Sequence, residues 1–125
     1  MAKRILVVED DWDIRLALRD RLQSMGFDVV TEDNGQSALS RITLEAPRSL
    51  IHGVLLDLHL PIVDGITVLR ELRDRHPQIP VIVMSATNDP AQFIDARKLG
   101  ASSYLRKPFD RETDWDLLYW IFHKD

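Results

Sequence analysis

The sequence predicts an α/β domain built on a doubly wound parallel sheet, and three observations carry that prediction. Short runs rich in Val, Ile and Leu alternate with stretches of helical period five times along the chain, the pattern of repeated βα units. Two of the runs, Val54-Leu55-Leu56 and Val81-Ile82-Val83-Met84, show no polar alternation, as expected of central strands covered by helices on both faces. At 125 residues, 45% apolar and 29% charged, the chain fits one domain, residues 1–125. Such a domain buries roughly two thirds of the surface its unfolded form exposes.

The first strand is expected over Ile5 to Val8. The helix after it places Ile14, Ala17, Leu18, Leu22 and Met25 at helical spacing, begins at an acid cap, Asp11 or Asp13, and stops at Gly26. The second strand, Asp28 to Thr31, leads to a helix from about Gln36 to Glu45, with Pro47 just past its end. After the third strand, Val54 to Leu56, a helix spans about Ile66 to Arg75 with Ile66, Leu69 and Leu72 or Arg73 along one stripe, closed by Pro77. The fourth strand, Val81 to Met84, precedes a helix capped by Asp89, with Pro90 at its first position and Gly100 at its end. The fifth strand, Ser103 to Leu105, is followed by a last helix beginning near Asp110. On it Trp115, Leu118 and Phe122 share a face, while Tyr119 and Trp120 point partly elsewhere, either as packing of the terminal helix or as an interface.

Composition excludes several functions. A net charge of −4 and a pI near 5.5 argue against the basic face that binds nucleic acid. The absence of cysteine excludes a disulfide framework and a thiolate site. The Lys3-Arg4 start lacks a signal-peptide pattern, and the apolar runs fall far short of the ~20 residues that span a bilayer. The expectation is a soluble cytoplasmic domain without nucleic-acid or membrane contact.

In open sheets of this kind ligands sit outside the carboxyl ends of the strands, and the chemistry-bearing residues fall at those ends. Asp57 ends the third run, Glu9-Asp10-Asp11 follow the first, Ser85-Ala86 the fourth and Lys107-Pro108 the fifth, with Pro61 and Asp64-Gly65 just downstream of Asp57. Asp57 alone also fits the cap of a turn or helix and Glu9-Asp10-Asp11 a solvated, helix-capping acid run, while Ser85-Ala86 or Lys107-Pro108 alone says almost nothing; their order carries the weight. Together they point to a magnesium-assisted phosphoryl acceptor. Asp57 supplies a nucleophilic carboxylate, and Glu9, Asp10 and Asp57 form an all-oxygen cluster suited to Mg²⁺. Lys107 and Ser85 place an ammonium and a hydroxyl on the phosphoryl oxygens.

The motifs Val7-Val8-Glu9-Asp10-Asp11, Leu55-Leu56-Asp57-Leu58-His59-Leu60-Pro61-Ile62-Val63-Asp64-Gly65, Met84-Ser85-Ala86, Gly100-Ala101 and Tyr104-Leu105-Arg106-Lys107-Pro108-Phe109 resemble, in that order, the receiver domain of two-component response regulators. The resemblance covers essentially the full chain. It implies a flavodoxin-like three-layer sandwich with strand order 2-1-3-4-5. It implies that Asp57 takes phosphate from a sensor histidine kinase or a phosphotransfer protein, with Mg²⁺ held by Glu9, Asp10, Asp57 and the backbone carbonyl of His59. Asp11 is then not a direct ligand. Ser85 becomes the switch hydroxyl, Tyr104 the switch aromatic, Lys107 the essential cation, and Lys107-Pro108 a cis peptide. His59 and Thr87 stand at positions that tune phosphate lifetime in the family. The signal is expected to leave through the fourth helix, fifth strand and fifth helix toward a downstream protein.

Several positions depart from the family pattern. Leu60 replaces a common Met, and Ser102-Ser103 replaces an acidic pair. The last helix lacks the usual small and basic residues, which argues against a salt-bridged dimer and leaves a homodimer through other contacts open. Two rival readings are weaker. An aspartate-nucleophile phosphohydrolase commonly wants a second acid where His59 stands, so no enzyme turnover beyond slow self-hydrolysis is expected. A flavodoxin-like cofactor binder wants a phosphate loop after the first strand, and none is there.

Overall fold

A computed structural model describes residues 2–86, 89–108 and 111–124. The chain runs through β1 (Arg4–Val8), α1 (Trp12–Ser24), β2 (Asp28–Glu32), α2 (Gly35–Glu45) and a short 3-10 turn, Ala46–Arg48. It continues through β3 (Gly53–Asp57), α3 (Gly65–Arg75), β4 (Val81–Ser85), α4 (Pro90–Lys98), β5 (Ser103–Arg106) and α5 (Glu112–His123). All neighbours pair in parallel, in the expected order β2-β1-β3-β4-β5. The expected start of the last helix, Asp110, lies outside the described residues, as does Thr87.

Helices on both sides of the sheet divide the core in two. Leu6, Val8, Val54, Leu56, Val81 and Val83 face α2, α3 and the buried Ala96 of α4. Ile5, Val7, Leu55, Ile82 and Met84 face Leu18 and Leu22 of α1 and Trp115, Leu118 and Phe122 of α5. Successive strand residues point to opposite faces, so an uninterrupted apolar strand feeds both cores. Each such side chain withdrawn from water contributes about 2 kcal/mol before the entropy of ordering is counted.

Short polar side chains fix where the helices begin. Asp11 accepts from the Ile14 amide at 3.0 Å, Asn34 from Ser37 at 2.8 Å, Asp64 from Thr67 at 2.9 Å and Asp89 from Ala91 at 3.0 Å. Of the two acids considered for α1, the cap is Asp11. Gly26, at φ +94°, turns the chain out of that helix in the left-handed region that glycine tolerates best.

The buried face of α1 differs from the sequence expectation. Ile14 and Ala17 are exposed, and Arg15 joins Leu18 and Leu22 in the buried set. Carbonyls at the end of β1 need donors, and Arg15 Nη1 supplies them, reaching Glu9 O at 2.8 Å and Asp10 O at 3.3 Å. These bonds offset the cost of burying the guanidinium. Ile14 and Ala17 instead line an apolar groove with Ala86, Pro108 and Trp115, beside Lys107. In α3 the buried stripe is Val68, Leu69 and Leu72, with Ile66 half-buried. Arg73 lies against neighbouring carbonyls, donating to Gly100 O and Ile79 O. At the end of the chain, Tyr119 packs on His123 and Phe27, whereas Trp120 is 60% exposed. Among the described residues no helix is long and apolar enough to cross a membrane.

Candidate functional site

The parallel register brings the three central strands to a common edge. Val8 stands beside Leu56, Asp57 beside Met84 and Ser85 beside Arg106. Asp57 is therefore the last residue of a strand hydrogen-bonded on both sides, and only 3% of it is exposed. Its Oδ1 accepts from the His59 amide at 2.9 Å and its Oδ2 from Lys107 Nζ at 3.0 Å. Lys107 Nζ donates also to Glu9 Oε1, and Glu9 Oε2 accepts from the Asp11 amide at 3.2 Å. Carboxylate oxygens of Glu9, Asp10 and Asp57 lie within 4.8 Å of one another. Asp11 turns away to cap α1.

Three carboxylates thus face one ammonium. Burial pushes the Glu9 carboxyl up to about 7; the Lys107 hydrogen bond pulls against this, and the Asp57 charge adds to it. Burial alone would lower the Lys107 ammonium, but its hydrogen bonds to Glu9 and Asp57 and the charges of both hold it above its ordinary value. An all-oxygen donor set with uncompensated negative charge fits a hard divalent cation.

The loop after Asp57 is held close to the sheet. Leu58 N donates to Met84 O at 3.0 Å and Gly65 N to Leu58 O at 3.1 Å. A Cβ on Gly65 would stand 2.4 Å from Asp57 O and 2.5 Å from Leu58 Cα, so α3 can approach Asp57 this closely only without a side chain. Between them Ile62 adopts φ +71° in a tight turn closed by Val63 N on Pro61 O at 2.8 Å. That conformation is costly for a β-branched residue. Thr67 donates through both its amide and its hydroxyl to Asp64, holding that carboxyl below its ordinary value. On the other side, Lys107 N donates to Ser85 O at 2.8 Å, and the Lys107–Pro108 peptide is cis.

Ser85 is fully buried at the end of β4, and its Oγ donates to Gln92 Oε1 at 2.8 Å. Gln92 Nε2 lies 3.3 Å from Nε2 of the exposed His59. Tyr104, half-buried on β5, meets the ring of Phe93 edge-on, with centroids 5.0 Å apart at 76°. His52 stands at the other end of β3, where its Nδ1 accepts from Arg4 N at 2.9 Å. Glu9, Asp10, Asp57, Ser85 and Lys107 therefore share one edge of the sheet, with His59 and Tyr104 flanking it. Sequence reasoning missed Arg15 and Gln92. A cation one turn after an acidic run marks Arg15; nothing in the local sequence marks Gln92, whose place depends on how α4 docks.

Residues 5–115 match the response regulator receiver domain family. The chain belongs to that family. Among similar curated proteins, a probable transcriptional regulator, ycf27 of Cyanophora paradoxa, is 42% identical over 107 residues, covering 86% of this chain and 43% of that protein. The DNA-binding transcriptional regulator NtrC of Escherichia coli K12 is 37% identical over 106 residues, covering 85% of this chain and 22% of that protein. The receiver domain thus spans less than half the length of these relatives. Among solved structures, the BeF3-activated N-terminal receiver domain of Klebsiella pneumoniae RstA superposes with a TM-score of 0.87 at 29% identity, covering 98% of this chain and 100% of that one. Brucella abortus NtrX gives a TM-score of 0.85 at 29% identity, covering 98% of this chain and 27% of that one.

Proposed function

We propose that this receiver domain accepts a phosphoryl group on Asp57 from the phosphohistidine of a sensor histidine kinase or a phosphotransfer protein. An Asp57 carboxylate oxygen attacks phosphorus in line, the new O–P bond forms as the N–P bond breaks, and the electron pair leaves with the donor imidazole nitrogen. What carries this reading is the pairing of the buried Asp57 Oδ2 with Lys107 Nζ at 3.0 Å inside a three-carboxylate cluster. Glu9, Asp10 and Asp57, with the His59 carbonyl, would hold Mg²⁺, which when bound screens the acids from the incoming phosphate. Lys107, already on Asp57, moves onto a phosphoryl oxygen, and Ser85 rotates to donate to another. His59 and Thr87, standing at the positions the family uses to tune phosphate lifetime, set how long the acyl phosphate lasts.

The message then travels as a population shift. Drawing Ser85 inward lets Tyr104 follow, and the surface of α4, β5 and α5 is remade for a downstream protein. This is an acceptor switch rather than a turnover enzyme, with slow self-hydrolysis at most, working in the cytoplasm. The test is phosphorylation by acetyl phosphate with Mg²⁺, followed by intact-mass spectrometry. Wild type should gain one phosphoryl group and Asp57→Asn none, and EDTA should abolish the gain. Equal incorporation by Asp57→Asn would sink the assignment.

A further inference from the structure

Ser85 is the hydroxyl that must reach the phosphoryl group if Asp57 is the acceptor, and in this structure it is engaged elsewhere. Its Oγ donates to Gln92 Oε1 at 2.8 Å, and the other end of the same amide lies 3.3 Å from His59 Nε2. With the imidazole as acceptor, one side chain of α4 bridges the end of β4 and the loop that follows Asp57. The next residue, Phe93, meets Tyr104 with ring centroids 5.0 Å apart. The first turn of α4 therefore touches the switch hydroxyl through Gln92 and the switch aromatic through Phe93. That helix is lightly anchored: of its nine residues only Ala96 is fully buried.

We propose that Gln92 is a positioning residue that holds Ser85 in the unphosphorylated arrangement and sets the threshold for switching. Ser85 has one hydroxyl proton and cannot donate it to Gln92 and to a phosphoryl oxygen at once. Phosphorylation must therefore break the Ser85–Gln92 bond, and breaking it frees the α4 turn that carries Phe93. The switch acquires an adjustable cost located outside the acidic cluster and a route from Ser85 to Tyr104 through adjacent residues. Both acceptor states exist beforehand, and Gln92 biases their ratio.

This inference rests on the acceptor reading, and the experiment separates the two. Beryllofluoride with Mg²⁺, a phosphoryl mimic, is titrated into wild type, Gln92→Leu, Ser85→Ala and the double variant, following the Ala86 amide by NMR. Gln92→Leu keeps the bulk of the stem and removes both hydrogen bonds; Gln92→Ala serves as a second variant. Both should bind the mimic about five-fold more tightly than wild type, the equilibrium factor of one neutral hydrogen bond. In the Ser85→Ala background the same substitutions should change affinity by nothing measurable, because no hydroxyl is left to hold. A gain of equal size without Ser85, or no gain with it, overturns the role of Gln92 while leaving the acceptor intact. Failure of wild type to bind the mimic at all removes the acceptor reading and this inference with it.

Discussion

Replacing Glu9 by Gln should stabilise the metal-free domain, and by an amount that depends on pH. Glu9 is fully buried, and its carboxyl rises from an ordinary 4.5 to about 7 in the fold. The folded state therefore holds the proton more tightly than the unfolded chain. The stability linked to this group is complete below pH 4.5 and is lost as pH rises through about 7. Between those limits the loss is ~3 kcal/mol, at about 1.36 kcal/mol for each tenfold in proton affinity. Gln is shaped like the protonated acid and never ionises. At pH 8 in EDTA, Glu9→Gln should raise the unfolding free energy by about 3 kcal/mol, or Tm by roughly 10 °C; near pH 5 the gain should shrink to about 1 kcal/mol. Urea unfolding followed by circular dichroism measures both. Added Mg²⁺ should then stabilise wild type more than the variant, because binding stabilises only the state that holds the ligand. A variant no more stable than wild type at pH 8, or equally favoured at pH 5 and pH 8, would refute the claim that burial within the cluster disfavours the Glu9 carboxylate.

Other substitutions probe the loop that holds Asp57. Ile62→Asn should stabilise the domain by about 1 kcal/mol in denaturant titration, since φ +71° is strained for a β-branched residue and tolerated by Asn. Gly65→Ala should cost about 1–3 kcal/mol and weaken beryllofluoride binding, because its Cβ would meet backbone atoms of Asp57 and Leu58 that have nowhere to go. Asp64→Ala should cost about 1 kcal/mol through the lost helix cap. The Asp64 carboxyl is held below its ordinary 3.8, so its contribution is present above that pH and fades as acid protonates the folded form. The wild-type and Asp64→Ala stabilities should therefore converge toward low pH.

The sheet and the acidic edge were legible in the sequence for the same physical reason. A strand buried on both faces must be apolar at every position, so Val54-Leu55-Leu56 and Val81-Ile82-Val83-Met84 announce their place. Parallel pairing then carries whatever follows each run to one edge. Glu9, Asp10, Asp57, Ser85 and Lys107 are legible that way; the cap Asp89, and Asp11 as one of two candidates for α1, are legible from local signals, whereas the capping role of Asp64 was not read. Arg15 was not, because helical spacing favours an apolar residue at a buried position and cannot register the carbonyls of Glu9 and Asp10 waiting there. Gln92 and the rise of Glu9 to about 7 belong to the same class. Periodicity and chain order determine which residues share an edge; the distances, partners and burial that decide how each behaves arise only when separate elements pack, since those energies depend on neighbours far apart in sequence.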